Sequence, residues 1–164
     1  LCRHGTGFEN YGGQDMSTAE AADERLDLAR GILERYSRIQ EDGQVAENEW
    51  REHVRAAAES VYPREKEMYD QLAKEPLAKF MASYQWRKVV DELLHNIHPY
   101  EASTLLIQHY VNGSPLKNIT GARGRTMSKA TVAKYKKVGL QEFAVEVERV
   151  LPQLREQEKI LYGN

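Results

Sequence analysis

Apolar residues recur every three to four positions along almost the whole chain, and proline or glycine separates one such run from the next. Leu26, Ala29, Leu33 and Tyr36 share one helical face, with Ile32 and Ile39 beside it. No apolar–polar alternation is long enough to read as a strand. This punctuation of helical runs predicts an all-α fold, a compact helical bundle.

The punctuation also predicts the element boundaries. Ser17-Thr18-Ala19-Glu20 has the form of a capping box, in which the serine oxygen takes an amide and the glutamate reaches back. It predicts a helix from there to about Gln40, broken by Glu41-Asp42-Gly43. A second helix is expected over 46–61, with Trp50, Val54, Ala57 and Ala58 inward. Pro63 opens a third in its first turn, where a missing amide costs nothing, and Pro76 interrupts it. The fourth, over 77–97, offers Phe80, Met81, Tyr84, Val89, Val90, Leu93, Leu94 and Ile97 to the core. Pro99 restarts the chain into a fifth helix carrying Ala102, Leu105, Leu106, Tyr110 and Val111, which Asn112-Gly113 closes as a left-handed cap. The first fifteen residues are glycine-rich and polar and are expected to be disordered. Gly12-Gly13-Gln14-Asp15-Met16 reads as a translated ribosome-binding site ahead of a true start at Met16. The expected organisation is a leader over 1–16, an acidic helical domain over 17–98, and a region over 99–164 that ends in a long helix.

Charge divides the chain more sharply than hydrophobicity does. Residues 1–101 hold 13 Lys/Arg against 20 Asp/Glu, a net of −7. Residues 102–141 hold 7 Lys/Arg and no acid at all, a net of +7. Residues 142–164 hold 3 against 5. The overall net charge of −2 therefore conceals a 40-residue segment suited to meeting a polyanion.

That segment has the layout of a helix-turn-helix. After Asn112-Gly113, Ser114-Pro115 supplies an N-cap and a first-turn proline, and 116–119 fits a short helix. Gly121-Ala122-Arg123-Gly124-Arg125 reads as a flexible basic turn. Ser128 then caps a long helix from Lys129. At 100° per residue, Val132, Tyr135, Gly139, Phe143 and Val147 face inward, and Ala130, Lys134, Lys137 and Gln141 face outward. A recognition helix needs this asymmetry, because its first turns enter the major groove while its later turns pack on protein. Ser128, Ala130, Thr131 and Lys134 are the expected major-groove residues. Arg123, Arg125, Lys129 and Lys137 are the expected phosphate contacts, which set affinity and register, and the charges of Lys134 and Lys136 add to phosphate neutralisation.

Four stretches carry a family likeness. They are Leu105-Leu106-Ile107-Gln108-His109-Tyr110-Val111-Asn112-Gly113, Met127-Ser128-Lys129-Ala130-Thr131, Tyr135-Lys136-Lys137 and Leu140-Gln141-Glu142-Phe143-Ala144. They resemble region four of bacterial sigma factors and, more closely, phage late-gene regulators of the ArpU and RinA type. The resemblance covers about a quarter of the chain and implies a transcriptional activator of phage or prophage late genes. The spacer from Ile119 to Ser128 departs from the pattern: two glycines and two arginines stand where a tighter turn with an aliphatic residue is expected.

Other residue sets are weaker. Cys2 is the one cysteine, which excludes an intrachain disulfide or cysteine zinc site and suits a cytoplasmic setting. His95 and His98, with His53 or Glu92, have metal-ligand residue types, but nothing else converges on them. Glu65, Glu67 and Asp70 alternate with Arg64 and Lys66 as on a solvated helix face. No nucleophile, base and oxyanion stabiliser assemble, so neither an enzyme nor a cofactor is expected. The acidic N-terminal helices are left with three roles: a homodimer interface, a surface for a basic partner such as part of RNA polymerase, or a scaffold. The rival functions are a phage small terminase subunit and a helical protein-interaction module that does not bind DNA. Double-stranded DNA is the expected partner and a membrane is not, since no apolar run approaches the roughly 20 residues a bilayer needs.

Overall fold

The computed structural model describes residues 9–163, with side-chain surroundings from residue 18 onward. Among the described residues the chain is all-helical, apart from turns and one isolated β-bridge. Its α-helices are α1 (Glu9–Glu34), α2 (Tyr36–Glu59), α3 (Pro63–Leu72), α4 (Lys74–His95), α5 (Tyr100–Leu106), α6 (Lys129–Val147) and α7 (Leu151–Tyr162).

The start of α1 differs from expectation. Residues 1–8 of the expected leader lie outside the described residues, and 9–16 are helical, so Ser17 sits inside α1 and not at its cap. A cap contributes only about 1 kcal/mol, too little to end a helix that its upstream neighbours can continue.

The junction between α1 and α2 falls at Arg35, not at Glu41-Asp42-Gly43. The Arg35 N–H is shared between the carbonyls of Gly31 (3.3 Å) and Ile32 (3.2 Å), and α2 follows without a loop. Gly43 does not break α2 because it is a contact residue. A Cβ there would lie 2.1 Å from Ser83 Oγ and 2.5 Å from Ser83 Cβ, so only glycine lets α2 and α4 approach this closely. The Ser83 hydroxyl donates across the contact to the Ile39 carbonyl at 2.7 Å. Glycine inside a helix costs about 1 kcal/mol against alanine, and the close packing of α2 on α4 offsets it.

Helix α4 is the axis of the bundle, packed against α2 and α7. Trp86, Val90 and Leu94 of α4 are fully buried. They share one core with Ile32 and Leu33 of α1, Ile39 of α2, Leu105 and Leu106 of α5, Phe143 and Val147 of α6, and Leu154 of α7. The change of charge near residue 100 is therefore not a boundary of packing. Four expected core residues are exposed instead: Val54, Ala58, Met81 and Tyr84. The contact line of α4 runs through Ala82, Ser83, Trp86 and Val90, because the small residues admit α2 and rotate the larger Met81 and Tyr84 outward. Trp50 is half-buried and stacks on Phe80, with centroids 6.2 Å apart and planes 7° from parallel.

Polar ties fasten α7 to the α1–α2 junction. Arg35 pairs with Glu158 at 2.6 Å, the Tyr162 hydroxyl donates to Asp42 at 2.5 Å, and Arg38 lies over the Tyr162 ring at 4.8 Å. Arg25 of α1 pairs with Glu148 at 2.9 Å, between α6 and α7. Among the described residues no helix is long and apolar enough to cross a membrane.

Candidate nucleic-acid interface

The basic segment begins where α5 ends. The chain continues through a π turn (Ile107–Val111) to Gly113, whose φ of 72° is the left-handed conformation that glycine adopts without strain. Past Pro115, the short helix expected over 116–119 is a single 3-10 turn, Leu116–Asn118. Ile119 is fully buried and pins the chain to the core.

The stretch read as a flexible turn is instead a small hairpin. Thr120 and Thr126 form an antiparallel bridge. The Met127 N–H donates to the Ile119 carbonyl and the Gly121 N–H to the Arg125 carbonyl, both at 2.8 Å. Gly124 turns the tip with a φ of 71°, where a side chain would be strained. Gln108 fastens this hairpin to the π turn. Its Nε2 donates to the Thr120 carbonyl at 3.0 Å, and its Oε1 accepts from the Thr120 N–H at 3.1 Å and hydroxyl at 3.3 Å. Arg123 and Arg125 are therefore exposed on a hydrogen-bonded tip.

Helix α6 follows. Ser128 is its N-cap, as expected, and its Oγ accepts from the Thr131 N–H at 3.2 Å. The Ser128 and Thr131 hydroxyls also hydrogen-bond each other at 2.8 Å. Two hydroxyls carry two O–H donors, and this bond consumes one, so the pair keeps one donor for an outside acceptor. Val132, Gly139, Leu140, Phe143 and Val147 are buried, and Tyr135 is half-buried. Ala130, Lys134, Lys137 and Gln141 are exposed on the opposite side, with Lys129 and Ala133 beside them. Gly139 lets α6 lie close on α5: a Cβ there would meet Leu106 Cδ1 at 2.9 Å and the Ala102 carbonyl at 3.4 Å.

The electrostatics of this surface differ from the rest of the molecule. Elsewhere cations share their helices with acids and several pair with them, as in Arg25–Glu148, Arg51–Glu47 and Lys79–Glu75, whereas residues 102–141 hold no acid. Among the described residues, no ion pair uses Lys117, Arg123, Arg125, Lys129, Lys134, Lys136 or Lys137. Six of these seven are exposed and Lys136 is half-buried. Lys134 Nζ lies 5.5 Å from the Tyr135 ring centroid. Unpaired cations beside the positive N-terminal end of a helix make a receptor for phosphate groups.

One cation of this segment, Lys117, falls outside the expected site residues. Lys117 and Lys136 flank a groove of about 630 Å³ between the 3-10 turn and α6, floored by Leu116, Met127 and Val132. In the sequence, only its place in the acid-free segment marks Lys117. Arg30 of α1 shares a shallower depression with Lys136 and Lys137, and it also pairs with Asp27 at 3.4 Å.

The other residue sets do not assemble. His95 is exposed, with Nδ1 2.6 Å from the Asp91 carbonyl. Among the described residues, no three His, Cys, Asp or Glu side chains are placed to hold one metal ion. Glu65, Glu67 and Asp70 are exposed on α3, and Cys2 lies outside the described residues. No family model matches the chain, and no curated protein or solved structure matches it either.

Proposed function

We propose that this chain is a sequence-specific double-stranded DNA-binding protein that regulates transcription, without an enzymatic step or a cofactor. The observation that carries the reading is the set of seven cations on the hairpin, the 3-10 turn and α6, none of them paired with an acid among the described residues. In this reading the first turns of α6 enter the major groove. Ala130, Lys134 and the spare donor of the Ser128–Thr131 pair face base edges. Arg123, Arg125, Lys129 and Lys137 contact phosphates, joined by Lys117 and Lys136. The helix-turn-helix is of an unusual form, with the 3-10 turn and hairpin standing between α5 and the recognition helix. The likeness to ArpU- and RinA-type and sigma region-four segments supports a cytoplasmic activator of phage or prophage late genes, and the acidic helices then face RNA polymerase or a second copy of the chain.

One observation favours a second reading. Val61, Tyr62, Met68, Leu72, Met81 and Tyr84 expose large apolar surfaces along α2 to α4. Exposed large apolar side chains in such number suit association with another chain, and a small terminase subunit combines DNA binding with ring assembly.

The test is binding of the purified protein to pooled genomic DNA fragments across a salt series, with sequencing of what is retained. A regulator gives salt-dependent retention that enriches one short motif. Retention without enrichment, together with a ring-sized species in light scattering, favours packaging. No retention at low salt removes the DNA reading and leaves a protein-interaction module.

A further inference from the structure

We propose that the hairpin bridged at Thr120 and Thr126 is a minor-groove reader: Arg123 and Arg125 enter the groove flanking the site of α6 and select duplexes whose minor groove is narrow there, as in A·T-rich tracts. The inference rests on the DNA-binding reading of the same surface, and it moves Arg123 and Arg125 from phosphate contacts into the groove itself.

The first argument is a segregation of residue types. Both cations of the hairpin tip are arginine, whereas the five on the 3-10 turn and α6 are all lysine. The two side chains do different work on DNA. Lysine is a compact, strongly hydrated point charge suited to phosphates on an open surface. The guanidinium is planar and weakly hydrated, and it enters a narrow minor groove, where the negative potential is strongest.

The second argument is placement. Arg125 stands three residues before the Ser128 cap. At about 3.3–3.6 Å per extended residue, its Cα lies within roughly 11 Å of the start of α6. That is close to the roughly 12 Å width of a major groove, so a helix seated there leaves the tip at the adjoining groove.

The third argument is preorganisation. The bridge, the Gly121–Arg125 hydrogen bond at 2.8 Å and the Gln108 clasp on Thr120 hold the tip before DNA arrives. Gly124 separates the arginines with no side chain of its own, and a Cβ at that position would meet nothing within 4 Å. The tip is thus narrow and open on its outer side. Arg123 and Arg125 carry no ion pair among the described residues, so no acid must be displaced on binding.

The test uses the full chain and a pool of random-sequence duplexes, sequenced before and after binding. The wild type is compared with the double variant R123K/R125K, with thermal unfolding recorded for both. Wild-type protein is expected to enrich an A·T tract to one side of its central motif, by about fivefold or more over G·C, the low end of what one base-pair preference is worth. The lysine variant keeps both charges. It is expected to retain the central motif and a salt slope within about one unit of wild type, yet lose the flanking A·T enrichment. If the variant keeps that enrichment, or the wild type has none beside an enriched motif, the groove-reading role is overturned while DNA binding stands. If no duplex is retained at any salt concentration, the DNA-binding reading falls and this inference falls with it.

Discussion

Gln108 grips the backbone of Thr120 with both ends of its amide, donating to the carbonyl at 3.0 Å and accepting from the N–H at 3.1 Å. This clasp does for the hairpin what further ladder rungs do in a longer one. Gln108→Ala removes both bonds and is expected to cost about 2 kcal/mol. Gln108→Glu, which loses the donor, is expected to fall between the two. Urea midpoints measure the loss. Hydrogen exchange at Gly121 and Met127 shows whether the hairpin opens ahead of the bundle.

Gly43→Ala is expected to destabilise the bundle by about 2–3 kcal/mol or more, because overpacking a helix contact forces backbone apart. Ser83→Ala should not rescue it, since Ser83 Cβ would still lie 2.5 Å from the new methyl. Ser83→Gly removes that atom and is expected to restore part of the loss. Chemical denaturation of the single and double variants decides between a close contact and an ordinary helix position.

Lys129→Ala and Lys137→Ala are each expected to lower the slope of log affinity against log salt by about 0.9, one phosphate contact each. Both side chains are exposed and outside any ion pair among the described residues, so stability should stay within about 0.5 kcal/mol of wild type. Lys79→Ala, whose lysine is paired with Glu75 on α4, is the control and should leave the slope unchanged. Fluorescence anisotropy on one duplex at several salt concentrations measures all three.

Burial, the hydrogen bond to Asp91 and the charge of that carboxylate together hold the Tyr36 hydroxyl well above the ordinary tyrosine pKa. In the unfolded chain tyrosine ionises near pH 10, at about its reference value. Above that pH the folded state binds more protons than the unfolded one, so this stabilisation is complete below about pH 10 and is lost as pH rises further. Tyr36→Phe is expected to cost about 1 kcal/mol at neutral pH and to flatten the alkaline fall in stability. Denaturation midpoints from about pH 8 to pH 11 check both effects.

The features legible in the sequence are those set by neighbours along the chain. Ser128 caps α6, Gly113 takes the left-handed cap, Pro63 opens α3, and the inner and outer faces of α6 lie where 100° spacing puts them. The misreadings come from contacts distant in sequence. Gly43 reads as a breaker until Ser83, forty residues away, makes it the point of closest approach. Met81 and Tyr84 read as core until Ala82 and Ser83 turn α4 the other way. The hairpin has one bridge, too short for alternation to register, and its clasp comes from a glutamine in the preceding turn. For the candidate site, local charge and spacing picked out the outer face of α6, but the ordered arginine tip and the part of Lys117 needed the folded chain.

The unequal division of charge, −7 over residues 1–101 and +7 over 102–141, has a consequence before any contact is made. A body with its positive charge gathered at one surface is an electric dipole, and the field of a polyanion exerts a torque on it. Within a Debye length, about 8 Å at physiological salt, the molecule rotates until its lysines and arginines lead. In the proposed reading, the outer face of α6 is thereby presented before any side chain touches a phosphate.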